Sequence, residues 1–181
     1  MIFRTILWFF RSKRAATLGT GDVGRIRMRV LPTDIDTLGH VNNGMYLSLM
    51  DLGRVDLMIR AGVWRTLSAK GWYPVVASAT ITYRRSLQLW QKFTLETRLI
   101  GLDEKATYVE QRFTVDGEIF ATAFVKARFL KKTGGTVSVA ELTEATGWQH
   151  PGELPDWIGR WSADVALPPS RATAPSEWPV S

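Results

Sequence analysis

Between positions 33 and 43 the chain reads TDIDTLGHVNN, and this stretch gathers the polar side chains best suited to chemistry. Asp36 and His40 lie four residues apart, and Asn42 and Asn43 are side chains of the type that caps a helix. A helix beginning here presents its first-turn amides, the positive end of its dipole, to whatever precedes it. Such N–H groups stabilise an oxyanion formed at a carbonyl under attack, an effect worth roughly 3 kcal/mol per donor. A carboxylate a few residues earlier can face the same carbonyl carbon. It can attack directly, or take a proton from water for a gain of roughly 10²–10⁴-fold. Asx turns are the structural alternative for Asp34 and Asp36, and His40 alone is also a common kind of structural histidine.

Rival chemistries lack their residues. The 181-residue chain has no cysteine, which removes thiolate nucleophiles, disulfides and sulfur-ligated zinc. Its two histidines, His40 and His150, are far apart, and neither sits in an HExxH or carboxylate-rich spacing, so no metal and no bound cofactor is expected. No GxSxG elbow or P-loop occurs. Gly19, Gly21 and Gly24 form a GxGxxG, but the segment after them alternates Arg25, Ile26, Arg27, Met28, Arg29, Val30 as a strand does, whereas a dinucleotide fingerprint opens a helix.

The elements that must position Asp36 follow from periodicity. A helix is expected from Asn42 to about Ala61, with Met45, Leu49 and Leu52 on one stripe and Tyr46, Met50, Gly53 and Leu57 on another; such broad apolar coverage marks a helix wrapped by protein. Asp51 with Arg54, and Asp56 with Arg60, are spaced for surface ion pairs, and Gly62 supplies the stop. Period-two alternation then predicts strands over 75–85, 92–102, 106–115 and 118–130. Val75, Ala77, Ala79, Ile81 and Tyr83 share one expected face, and Ile119, Ala121, Ala123, Val125, Ala127 and Phe129 another. Asp116-Gly117 and Asp103-Glu104-Lys105 are the turns of an antiparallel meander. Small alanines on the inner face let a helix approach closely. The expected class is therefore α+β, one antiparallel sheet curled around one long central helix.

Charge is concentrated at one end. The net charge is +6, and residues 1–30 hold seven cations against Asp22 alone. The rest of the chain is balanced, which argues against a nucleic-acid groove. Residues 1–14 place Ile2, Phe3, Ile6, Leu7, Phe9 and Phe10 on one helical face opposite Arg4, Thr5 and Arg11. The apolar run is far shorter than the roughly 20 residues that span a bilayer. This helix is expected either to lie on a membrane surface or to pack on protein; a cytoplasmic location, peripheral to a membrane in the first case, follows. Residues 1–24 read as helix and linker, 25–147 as the domain, and 148–181 as a Trp- and Pro-rich extension. That extension has a short helix over 156–165 and disorder from Pro168.

The pattern Asp36-x-x-x-His40-Val41-Asn42-Asn43-x-x-Tyr46 resembles the 4-hydroxybenzoyl-CoA thioesterase-like branch of the hotdog superfamily, over about Arg25 to Leu130 and including Tyr83-Arg84-Arg85. The resemblance implies the hotdog fold and hydrolysis of an acyl-CoA, with CoA as part of the substrate rather than a cofactor. It implies Asp36 as nucleophile or general base, an amide nearest Asn43 polarising the carbonyl, and a homodimer or homotetramer with active sites at subunit interfaces. Tyr46 is expected as core or pocket wall. Arg84 and Arg85 alternate along a strand, so at most one is expected to face a CoA phosphate. Plant acyl-carrier-protein thioesterases share the run with Asp, Asn and His as catalytic residues; Asp36 and His40 match, but Leu38 replaces the Asn, leaving His40 an orienting role. Hotdog hydratases place their His one residue later and lack the Asn-Asn-x-x-Tyr continuation. An apolar helix–sheet slot favours a medium or long fatty acyl group. The alternative class is a noncatalytic acyl-CoA or lipid-binding hotdog protein.

Overall fold

The computed structural model of the protein describes residues 2–149, 152–169 and 171–176; His150 and the far end of the tail, where disorder was expected, lie outside them. Helix α1 spans Ile2–Ser12, strand β1 Gly24–Arg29 and helix α2 Asn43–Arg60. Helix α3 (Val63–Lys70) follows, then strands β2 (Trp72–Tyr83), β3 (Lys92–Leu102), β4 (Thr107–Val115), β5 (Glu118–Lys131) and β6 (Thr136–Val137). Helices α4 (Val139–Thr146) and α5 (Asp156–Asp164) close the chain. The sheet is antiparallel in the order β1-β3-β4-β5-β2, with β6 on β5, and β1 and β2 form its two edges. The expected meander is present, and Asp116 and Gly117 both take positive φ at its tight turn.

Alternation puts Ile26, Met28, Leu95, Phe113, Ala121, Ala123 and Val125 on the face that receives Tyr46, Leu49, Met50 and Leu52 of α2. Close approach has one further source, Gly53. A Cβ there would stand 2.4 Å from Thr97 Oγ1 and 2.8 Å from Gln111 Nε2. Gln111, fully buried, donates to the Met50 carbonyl (2.9 Å) and to Thr97 Oγ1 (3.0 Å), and accepts from Arg54 (2.7 Å). A polar clasp thus sits inside the helix–sheet contact, and burial lowers the Arg54 pKa.

The structure adds two short helices and corrects two expectations. Residues 63–70 form α3, delimited by the left-handed Gly62 and Gly71; Val63 and Leu67 alone are buried, too few to give a visible period. Helix α4 has a capping box between Ser138 and Glu141, a local signal that the sequence does carry. β2 has a register shift between Val76 and Ser78. Opposite the inward Ala127 and Phe129 stand Val76 and Pro74, so the inner face switches parity at the bulge and Val75 and Ala77 leave the predicted set. Asp56 is not a surface partner of Arg60. It is buried beneath α1, accepting from Ser12 Oγ (2.6 Å) as well as Arg60 (3.2 Å).

Helix α5 docks on the outer face of the sheet through Ile158 and Trp161, and Trp157 meets Phe124 edge-on at 4.6 Å. Beneath it runs a chain of hydrogen bonds that starts buried and ends on the exposed Asp103. Lys126 donates to Ser162 Oγ (2.5 Å), Ser162 to the Tyr108 oxygen (2.9 Å), and Tyr108 to Asp103 (2.6 Å). Burial, then the Asp103 hydrogen bond, pushes the Tyr108 pKa up to about 12. Because the folded value exceeds the unfolded one, this stabilisation is whole below the ordinary tyrosine pKa of about 10 and is lost as pH rises through the folded value. Tyr108→Phe is expected to cost about 1–3 kcal/mol at neutral pH by stranding Ser162. It should also flatten the alkaline fall in stability, read by melting temperature against pH.

No described helix is long and apolar enough to cross a membrane.

Candidate active site

The loop from Leu31 to Asn42 is closed by its own backbone. Asp34 donates its N–H to the Leu31 carbonyl within a short 3-10 turn, and its carbonyl accepts from Asn42 N–H (2.9 Å). Ile35 bridges Val41, and the Asp36 N–H donates to the His40 carbonyl (2.9 Å). Gly39, at φ +81°, makes the return turn. The far limb is tied to residues 87–88 by the Val41 N–H to Leu87 carbonyl bond (3.0 Å) and a bridge from His40 to Gln88.

Two carboxylates on this loop have opposite environments. Asp34 is 1% exposed, accepts from the Leu31 N–H (2.9 Å) and receives both oxygens' worth of Arg4 Nη1 at 2.9 and 2.8 Å. Arg4 also donates to the Arg29 carbonyl (2.7 Å). Helix α1 therefore locks the loop from behind, a tie spanning 30 residues that no local pattern signals. Asp36 is 24% exposed at its side chain. One oxygen accepts from the Leu38 N–H (2.9 Å), forming the Asx turn foreseen as its structural alternative. The other lies 3.6 Å from His40 Nδ1, beyond a good hydrogen bond, and stays available to a ligand.

The helix that follows is capped by Asn42, whose Oδ1 accepts from Gly44 N–H (2.8 Å) while its carbonyl accepts from Met45 N–H (2.9 Å). Between them the Asn43 N–H has no partner among the described residues. An oriented, unpaired donor at a helix start, on the same short loop as a carboxylate with a free oxygen, suits attack on a polarised carbonyl. Tyr46 is 1% exposed, stacked edge-on against Tyr83 (5.1 Å) and Phe113 (4.9 Å), and its oxygen accepts from the Leu87 N–H (3.3 Å). Its pKa is raised by burial. It braces the loop contact at Leu87 from inside the core. The Tyr83 hydroxyl reaches the Asn43 carbonyl at 3.4 Å.

Arg84 and Arg85 do not alternate. β2 ends at Tyr83, both following N–H groups donate to the Phe120 carbonyl (2.8 and 3.0 Å), and both guanidinium groups converge on Glu118 (3.3 and 2.7 Å). They form one exposed basic pair. A cavity of about 100 Å³ lies between α2 and the sheet, lined by Val55, Leu57, Met58, Val76, Val109 and Phe129. No three metal-ligating side chains cluster among the described residues.

Comparison with known proteins agrees with this geometry. The chain is 43% identical over 99 residues to protein THEM6 of Xenopus laevis, covering 55% of this chain and 48% of that protein. It spans about half the length of the curated relatives it matches first. It is 27% identical over 101 residues to the long-chain acyl-CoA thioesterase FadM of Escherichia coli, covering 55% and 76% of the two chains. Among solved structures, the probable thioesterase YbaW of Escherichia coli superposes with a TM-score of 0.62 at 26% identity, over 67% of this chain and 94% of that one. The sheet curled on α2 is thus the expected hotdog fold. Residues 30–162, from the end of β1 to α5, match the family model of the thioesterase-like superfamily, and the chain belongs to that superfamily.

Proposed function

We propose that the protein is an acyl-CoA thioesterase: water adds to the thioester carbonyl, the C–S bond breaks, and free acid and CoA thiol leave. The observation that carries this is that one short loop holds both Asp36, with one oxygen outside any hydrogen bond, and the unpartnered Asn43 N–H at the start of α2. The amide takes the carbonyl oxygen and Asp36 either deprotonates the water or attacks the carbon itself. His40, too far for a strong bond to Asp36, orients the loop through its main chain. Mass spectrometry of the enzyme quenched during turnover separates the two roles: Asp36 carries the acyl group as a mixed anhydride only if it is the nucleophile.

A medium or long fatty acyl group is the substrate class this reading favours, because the FadM relative is a long-chain acyl-CoA thioesterase. The active unit is a homodimer or a homotetramer. Support for a partner comes from β2, whose 12-residue length pairs on one side only and leaves Tyr73 and Val76 exposed at the sheet edge. The test of function is steady-state release of CoA thiol across acyl chain lengths. No turnover on any acyl-CoA sinks the reading, and consumption of a 2-enoyl-CoA without thiol release makes the protein a hydratase.

Arg84 and Arg85 are assigned to the CoA phosphates, for which Glu118 is the competitor in the free protein. Replacing either with alanine should raise KM several-fold at constant kcat, since phosphate contacts bind ground and transition states alike. A fall in kcat alone would remove them from CoA binding.

A further inference from the structure

Helix α1 packs with its polar side inward. Arg4 and Ser12 reach the buried Asp34 and Asp56, with Trp8 between them against the core. The opposite stripe, Phe3, Ile6, Leu7 and Phe10, spaced i, i+3, i+4, i+7, faces out at 90%, 50%, 53% and 54% exposure. Four large apolar side chains on one helical ridge leave a surface that water disfavours. The ion pair to Asp34 and the bond to Asp56 hold the helix in this orientation, so the stripe cannot turn inward without Asp34 losing its ion pair and Asp56 the bond from Ser12.

Cations flank the stripe. Grooves of about 810 and 520 Å³ run between α1 and β1, and Arg11, Arg14, Arg27, Arg29 and Lys92 line them with no ion-pair partner among the described residues. The acids in the larger groove are already engaged, Asp56 by Arg60 and Glu96 by Arg25; the smaller groove adds Asp116. We propose that α1 and the groove beside it are a docking face for an anionic lipid bilayer, the Phe3–Phe10 stripe entering the headgroup–acyl boundary while Arg11, Arg14 and Arg27 meet headgroup phosphates. Charge decides the occupant. A second copy of this chain would bring the same cations against each other, whereas an anionic surface neutralises them as the apolar ridge leaves water. The inference stands whatever reaction the Asp36 loop performs.

The full chain is to be co-sedimented with phosphatidylcholine vesicles with and without phosphatidylglycerol. Wild type is expected to bind the anionic vesicles, weakening with salt. Leu7→Glu and Phe10→Glu should each lower binding about tenfold or more, and Arg11→Ser and Arg27→Ser about fivefold each. All four positions are exposed, so melting temperatures should match wild type and confirm folding. Absence of vesicle binding by wild type, or equal binding by Leu7→Glu, overturns the proposal. So does a fall in solution mass on Leu7→Glu, which would seat the stripe on a second copy.

Discussion

Asp36→Asn is expected to lower kcat for acyl-CoA hydrolysis by roughly 10²–10⁴-fold, the range that loss of a general base or nucleophile produces. The substitution is close to isosteric and keeps an oxygen to accept the Leu38 N–H, so the turn that holds the side chain is retained. Charge and basicity are what disappear. The melting temperature should therefore stay near wild type while thiol release collapses. Equal turnover by the variant would remove Asp36 from the mechanism and leave it as a turn residue. Asp34→Asn makes an instructive contrast. Its carboxylate is buried against Arg4 and not open to substrate, so its loss should act first on stability and α1 docking.

Gly53→Val is the second large effect, on folding. Even the first carbon of the new side chain would stand within 3.0 Å of Thr97, Gln111 and Leu95, three groups on two strands. Relief requires α2 to lift from the sheet or Gln111 to give up its bonds to Met50 and Thr97. Overpacking costs about 1–3 kcal/mol, and stranding a buried amide about as much again. For a chain of this size each kcal/mol shifts the melting temperature by roughly 2–4 °C, so a loss of about 5–20 °C is expected by calorimetry. Unchanged stability would mean that the helix–sheet distance is not set at this residue. Gly53→Ala should show a smaller loss in the same direction.

Much of the scaffold was legible from local pattern. α2 and the meander β3–β4–β5 announce themselves by period and by turn residues, because the backbone repeat fixes which side chains share a face. The loop motif is local too, since Asp36, His40, Asn42 and Asn43 lie within eight positions and their relation needs only one turn and one cap. Gly53 was readable only as part of an apolar stripe; that it admits Thr97 and Gln111 depends on strands more than forty positions away. The bulge in β2 was hidden for a related reason. Alternation reports faces only while register is kept, and one extra residue reverses it.

The residues 1–14 show where the division lies. Periodicity alone established that they form a helix with an apolar face and a cationic one, because that follows from 3.6 residues per turn. Which face meets the protein is a different quantity. It depends on Asp34 and Asp56, 30 and 44 positions from Arg4 and Ser12, being buried with acceptor sites left over after Leu31 and Arg60 have bonded, which Arg4 and Ser12 fill. Satisfying a buried carboxylate outweighs hiding an exposed stripe, so the polar side turned inward. In the same way the sequence by itself identified Asp36 as the carboxylate to test. Only the tertiary structure decided that Asp34, two residues away, is held by α1, and that the second oxygen of Asp36 stands 3.6 Å from His40, outside hydrogen-bond distance.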